Sequence, residues 1–324
     1  MDELQKILYR ELYKKSFYDF VKQFWSEADP SALIDGKVVK LFCETFQYMS
    51  RSWVGYKPIP VELPKVKDDE VLFDIRQYGD MNHININVPP RHSKSMIFNV
   101  LGATWLWTNY PVKVASISHT RDLAKKMNEK RQKVINSPLY KELFGINLTA
   151  NTTEFLKDDR GGELYSLNRD SMTGYGADII INDDLTNAET SRKDKEEMNN
   201  AWSYFRNTMP SRVNDPKHSV IMNIQQRLAP NDITGRILAQ KDLRNMYIHL
   251  IIPAIFEHNT YFVCPISSEI LYWEKGEPLW EERFGDYQGL RVEVGQSNFD
   301  TQYMQKSKAS DSTIIKEEMI VEKS

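Results

Sequence analysis

The sequence predicts an α/β fold, a mostly parallel sheet sandwiched by helices, and three observations carry that expectation. From Ile84 onward, short runs rich in Ile and Val alternate with segments of helical periodicity. Strands separated by helices pair in parallel through right-handed crossovers. After Pro253 the composition turns to aromatics, Gly and Pro, which fits a small appended subdomain.

The elements follow in order. Up to about Asp29, Leu4, Ile7, Leu8, Leu12, Phe20, Phe24 and Trp25 fall near one face of a helix, a core-packing pattern without chemistry. A second helix is expected over residues 37–51, and 57–70 (KPIPVELPKVKDDE) is a Pro-rich, charged connection. A strand at 84–88 precedes a loop, a helix runs through Trp107, and 112–118 (VKVASIS) is the next strand. Thr120 caps the following helix, where Asp122 suits the first turn. Further strands are expected at 162–167, 177–182, 219–226 and 246–254. The tail KSKASDSTIIKEEMIVEKS has too little apolar content for a core. The expected division is a main domain over 1–254, a small subdomain over 255–305 and a tail over 306–324.

Bulk composition bounds the function. The 324 residues, 41% hydrophobic and 27% charged, can bury a large core. No apolar run approaches the ~18 residues of a membrane span. The N-terminus lacks the order of a signal peptide, so a cytosolic protein without a membrane partner is expected. Cys43 and Cys264, the only cysteines, lie far apart, and the six histidines are scattered, which argues against a disulfide framework or a zinc site. A net charge of -3 argues against coating nucleic acid by charge alone but leaves room for a local groove. The basic runs at 125–133 (KKMNEKRQK) and 191–197 (SRKDKEE) read as solvated helix faces.

Three segments carry chemistry. NVPPRHSKSM (87–96) ends in Lys-Ser between a strand and a helix, the context of a phosphate-binding loop, yet it has no glycine; Val88 and Ser93 stand where G-x-x-x-x-G-K-[ST] has its two. Pro89 and Pro90 have no N–H, so Arg91, His92, Ser93, Lys94 and Ser95 must supply the donors. Downstream, GADIIINDDL (176–185) is an apolar strand ending in two carboxylates. Asp183 can hold Mg²⁺ with the Ser95 hydroxyl, and Asp184 can orient or deprotonate an attacking water. In the third, SVIMNIQQRLAPNDITGRIL (219–238), Gln225, Gln226 and Arg227 end a strand where they can feel a γ-phosphate, and Asn231 or Asp232 starts a helix. HTRDLAKKMN superficially matches a kinase catalytic loop, but its Asn128 is one residue out of step and no D-F-G follows. The absence of an N-K-x-D motif favours adenine over guanine.

In this order the segments resemble the ATPase domain of tailed-bacteriophage terminase large subunits, the motors that package DNA. That family often writes its loop V-P-P-R-H-G-K-S, from which VPPRHSKS differs only at Ser93. Its second motif ends in two acids, like Asp183 and Asp184, and its coupling segment commonly reads like QRLAPNDITGRIL. FVKQFWSEADP (20–30) is similar to the family's segment near the adenine. FDTQYMQKSKASDSTIIKEEMI is similar to its junction with a nuclease domain.

The resemblance implies a P-loop NTPase fold of the RecA/ASCE type with a C-terminal lid. The implied ligands are ATP and Mg²⁺, the latter held by Ser95 and Asp183. Catalytic candidates are Lys94, Asp184, Arg91 and Arg169, and nucleotide contacts are expected from Pro90, Arg91, His92, Ser93, Lys94, Ser95, Met96, Gln225, Gln226 and Arg227. Implied partners are double-stranded DNA, further copies of the chain in a ring on the procapsid portal, and the small terminase subunit. The implied location is the bacterial host cytoplasm, outside the finished virion. Two features depart from the family. In RDSMTGYGAD, Ser171 and Tyr175 stand where a trans-acting arginine is expected and Arg169 is the nearest substitute; Asn182 makes the second strand polar. The chain stops at Ser324, just past the junction, so an isolated motor domain without nuclease activity is expected. The alternative is a helicase-like or remodelling P-loop ATPase acting on nucleic acid.

Overall fold

In the computed structural model, which describes residues 1–56, 63, 65–172, 174–186 and 195–306, eleven strands are defined: β1 (Val71–Phe73), β2 (His83–Asn87), β3 (Lys113–Ser118), β4 (Leu148–Asn151), β5 (Phe155–Asp158), β6 (Glu163–Asn168), β7 (Ile179–Asp183), β8 (Val220–Gln225), β9 (Ile248–Ile251), β10 (Thr260–Val263) and β11 (Ile270–Trp273). Eight form one sheet in the order β4-β5-β6-β3-β7-β8-β2-β9. The six strands from β6 to β9 are mutually parallel, as expected from the helices between them. Antiparallel β5 and β4 extend one edge. Every residue of β7 and β8 is buried, the mark of strands covered on both faces. Between β2, which feeds the loop, and β7, which ends in the acids, lies β8. That additional strand is the arrangement of the ASCE class of P-loop NTPases.

Both faces are helical. On one, Phe17, Phe20, Phe24, Phe46 and Trp105 interlock, with the Phe20 and Phe24 rings stacked at 4.5 Å. Gly102 permits this: a Cβ there would fall on the Phe46 ring, so the helix after the loop can press against the helix Lys37–Met49. On the other face Ala201, Phe205, Ile233 and Ile237 pack on Ile180 and Ile221.

Two expectations change. The N-terminal segment is two helices, Glu3–Lys15 and Phe17–Ala28, joined at Ser16, which caps the second through its side chain. The first helix gives the core only Tyr13, whereas Leu4 (67%), Leu8 (61%), Ile7 (45%) and Leu12 (43%) are solvent-exposed. The basic run at 125–133 is likewise not a wholly solvated face, because its helix, Arg121–Asn136, buries Asn128 and Arg131 completely. The Thr120 cap forms as expected, its side chain accepting from Leu123 N–H.

Beyond β9, β10 and β11 form a hairpin joined by β1 as a parallel third strand, so this small sheet borrows residues 71–73 from the connection before the main sheet. Short helices at Glu281–Phe284 and Gln288–Val294 follow. Residues 307–324, most of 57–64, and 187–194 within and before the second basic run lie outside the described residues. Among the described residues no helix is long and apolar enough to cross a membrane.

Candidate nucleotide-binding site

The loop leaves the sheet at Asn87, and Val88 N–H donates to the Gln225 carbonyl (3.1 Å), so β8 fixes its start. It then turns without glycine by placing two L-residues in the left-handed region: Arg91 at φ 62° and Ser93 at φ 58°. Each such residue costs roughly 1 kcal/mol or more. The Ser93 carbonyl accepts from Ile97 N–H and starts the helix, whose first turns, Ser95–Leu101, are π-wound before α-helix Gly102–Asn109. Among the described residues, no backbone N–H from Arg91 to Ser95 donates to another protein group. Five amides at a helix start without internal partners make an anion cradle.

Lys94 is buried, and its Nζ lies 2.8 Å from Asp184 Oδ2. Asp184 is itself held at φ 47°, its N–H donating to the Ile224 carbonyl (2.9 Å) and its Oδ1 accepting from Gln226 N–H (3.3 Å). The His119 ring meets the Asp184 carbonyl at 3.1 Å. The backbone around this carboxylate is thus tied to β8, while its side chain reaches across to the loop.

Asp183 is buried beside it. Asn99 Nδ2 donates to its Oδ2 (3.2 Å), whereas Oδ1 is buried without a hydrogen bond of good geometry among the described residues. Burial first, and then the Asp184 charge, push its pKa above the ordinary 3.8; Lys94, Ser95 and Asn99 pull the other way. A buried carboxylate with an orphaned oxygen, a serine hydroxyl beside it and a second acid next in sequence is a donor set of hard oxygens. It fits Mg²⁺, which would be held by Ser95 and Asp183 and would neutralise phosphate charge when bound. No cluster of three or more His, Cys, Asp or Glu side chains able to hold a metal occurs among the described residues, so most ligands would be water and phosphate.

Behind Asp183 lies a cation that the sequence did not reveal. Arg131 is fully buried, donating through Nε to the Asn99 carbonyl (3.0 Å), through Nη1 to Ser166 Oγ (2.7 Å) and through Nη2 to Asn99 Oδ1 and Ser116 Oγ. Burial lowers its pKa to about 9, against a stabilising pull from Asp183. Asn99, one turn along from Ser95 on the same helix, thereby links Arg131 to Asp183.

The remaining predicted residues divide. His92 offers its N–H to the loop, but its ring turns away: Nδ1–H donates to the Pro90 carbonyl (2.9 Å) and Nε2 accepts from Tyr287 O–H (2.6 Å). The ring stacks on Phe284 at 4.5 Å, and burial depresses its pKa to about 3. Met96 is partly buried, its sulfur 3.3 Å from Lys130 Nζ, which also pairs with Asp29 at 2.5 Å. Arg91 is exposed above the loop.

Of Gln225, which ends β8, and Gln226 and Arg227, which follow it, only Gln226 bonds to the Asp184 side chain; its own buried side-chain oxygen has no partner among the described residues. Gln225 instead donates to Thr234 Oγ1 (2.6 Å), within a buried amide network with Asn85, Asn87 and Asn223. Arg227 is spent on Asp232 (Nε to Oδ2, 2.9 Å), the cap of helix Ile233–Leu238, and its N–H donates to Gln305 Oε1 (2.9 Å). The Gln225, Arg227 and His92 side chains are thus each engaged with protein partners around the loop. Arg169 is mostly buried and paired with Glu197 (2.9 Å), not displayed for a neighbour. Asn182 spends its amide on Met209 Sδ.

Strand order, loop and paired acids together define a P-loop NTPase fold. Among solved structures the chain is similar to the large terminase of bacteriophage HK97 (13% identity over 73% of this chain and 49% of that one, TM-score 0.44). It is also similar to an ATPase-domain mutant of the Thermus phage P74-26 large terminase (14%, covering 79% and 97%, TM-score 0.44) and to the large terminase of a thermophilic bacteriophage in complex with ADP (11%, covering 54% and 41%, TM-score 0.35). The chain thus spans about half the length of the HK97 protein. No family model and no curated protein matches it.

Proposed function

We propose that this chain is the ATP-hydrolysing motor domain of a viral terminase large subunit, which drives double-stranded DNA into a procapsid. The observation that carries the nucleotide part is the Lys94–Asp184 contact at the mouth of a loop with five unspent amides. The DNA-packaging part rests on the motif set VPPRHSKS, INDD and QQRLAPNDITGRIL read together.

In this reading the triphosphate lies on the Arg91–Ser95 amides and Lys94 neutralises its β and γ oxygens. Asp184, released from Lys94, accepts a proton from the water that attacks the γ-phosphorus in line, as ADP departs. An arginine from an adjacent copy completes the charge on the transition state; Arg169 could serve only after release from Glu197. Loss of the γ-phosphate would be felt by Gln226 through Asp184, and by the C-terminal subdomain through the Arg227–Gln305 and His92–Tyr287 contacts. The ring on the portal, the small subunit and the host cytoplasm belong to the same proposal.

Turnover measured against protein concentration, with and without double-stranded DNA and procapsids, tests it. Slow turnover that rises with concentration and with both additions is expected. A fast monomeric ATPase indifferent to DNA contradicts it.

A further inference from the structure

A cation from a segment remote in sequence reaches the turn of the loop. Arg283, in the C-terminal subdomain, donates from Nη1 to the Ser93 hydroxyl at 3.3 Å. Its Cζ lies 5.1 Å from the Trp280 ring centre and 5.6 Å from that of Phe284. These two rings also flank His92, at 6.0 and 4.5 Å. The guanidinium is therefore aimed at the loop by the same aromatic wall that anchors it. Arg283 is exposed, and among the described residues neither it nor Arg91 has a carboxylate within ion-pairing distance. Lys94 is the only cation of the three whose charge is matched. Ser93 also stands where the second glycine of G-x-x-x-x-G-K-[ST] would fall, and its side chain is what Arg283 holds.

We propose that Arg283 is a phosphate-contacting residue: when nucleotide binds, its guanidinium exchanges the Ser93 hydroxyl for a phosphate oxygen of the triphosphate, bringing charge from the C-terminal subdomain onto the loop. The exchange replaces a neutral acceptor by an anionic one, and such charge-assisted bonds are roughly twice as strong. A planar guanidinium held on aromatic faces suits phosphate. In the nucleotide-free state the serine hydroxyl parks the arginine where the ligand will arrive. The inference rests on the nucleotide reading above and extends it to a residue remote in sequence.

Titration calorimetry with ATP and with ADP, each with Mg²⁺, on wild type, Lys94→Ala, Arg283→Gln and Arg283→Lys tests it. Arg283→Gln is expected to weaken ATP binding by about tenfold or more, and ADP binding less, with Arg283→Lys recovering much of the loss. Melting without nucleotide should be unchanged. Wild-type ATP affinity in Arg283→Gln overturns the proposal. So does an equal loss in Arg283→Lys and Arg283→Gln, which would assign the effect to packing on Trp280. A wild type that binds ATP no better than Lys94→Ala brings down the nucleotide reading itself, before Arg283 is at issue.

Discussion

Lys94 Nζ and Asp184 Oδ2 stand 2.8 Å apart, so that the buried ammonium and the carboxylate neutralise each other. Under the proposed function, binding a triphosphate would break this pair and free Asp184 from its cation. The two groups that hydrolysis would require separately in that proposal occupy each other until nucleotide arrives.

Asp184→Asn should separate binding from chemistry. Removing the competitor for Lys94 is expected to raise ATP affinity severalfold, while loss of the proton acceptor lowers turnover by about 10² to 10⁴. Equilibrium binding and single-turnover hydrolysis on one preparation check both signs. Weaker binding in this variant would refute the competition.

Asp183 is uncharged more readily in the folded chain than in the unfolded one. The stability this gives is present below the ordinary 3.8 and is lost as pH rises through the elevated folded value, so the nucleotide-free protein carries a penalty at neutral pH. Asp183→Asn is expected to raise the stability at pH 7 in the absence of nucleotide, and to abolish Mg²⁺-dependent turnover. Urea denaturation and a turnover assay measure the two.

His92 works in the opposite pH direction. Its folded pKa of about 3 lies below the ordinary 6.5, so the stability gained from a neutral ring is complete above that value and drains away as pH falls toward 3. The maximum slope from one such group is about 1.4 kcal/mol per pH unit. Replacing it in His92→Phe, which keeps the stack on Phe284, should flatten the acid limb of a stability-against-pH curve. His83 and His249, also depressed by burial, would leave a residual slope.

Ser93 sits at φ 58°, where a glycine would be unstrained. Ser93→Gly is expected to change stability by less than about 1 kcal/mol, because relief of strain is offset by the freer unfolded chain. Ser93→Val, with a β-branched side chain in the same region, should cost more than about 1 kcal/mol. Thermal melts of the two variants decide this.

The central strands β2, β3, β7 and β8 were legible because they are buried almost throughout and so carry Ile or Val at their core positions. The edge strands β4 (LTAN) and β5 (FLKD) and the small sheet of β1, β10 and β11 were not. They are three or four residues long, and β1 meets its partner only through tertiary pairing. The position of the phosphate loop could be read from Lys-Ser after a strand, but not its left-handed residue at Arg91. Local charge pattern made Arg131 look solvated, when its partners Asn99, Ser116 and Ser166 come from three other elements. In the same way, the repetition of leucines in the first helix could not disclose that Leu4, Ile7, Leu8 and Leu12 are left solvent-exposed. Contacts such as Arg283 to Ser93 join distant segments, and no local periodicity encodes them.

The most direct test of the account is a crystal structure with a non-hydrolysable ATP analogue and Mg²⁺. The expected result has the phosphates within hydrogen-bonding distance of the Arg91–Ser95 amides, with Lys94 drawn off Asp184 onto them. An analogue bound elsewhere, with the loop empty and the Lys94–Asp184 pair intact, would contradict it.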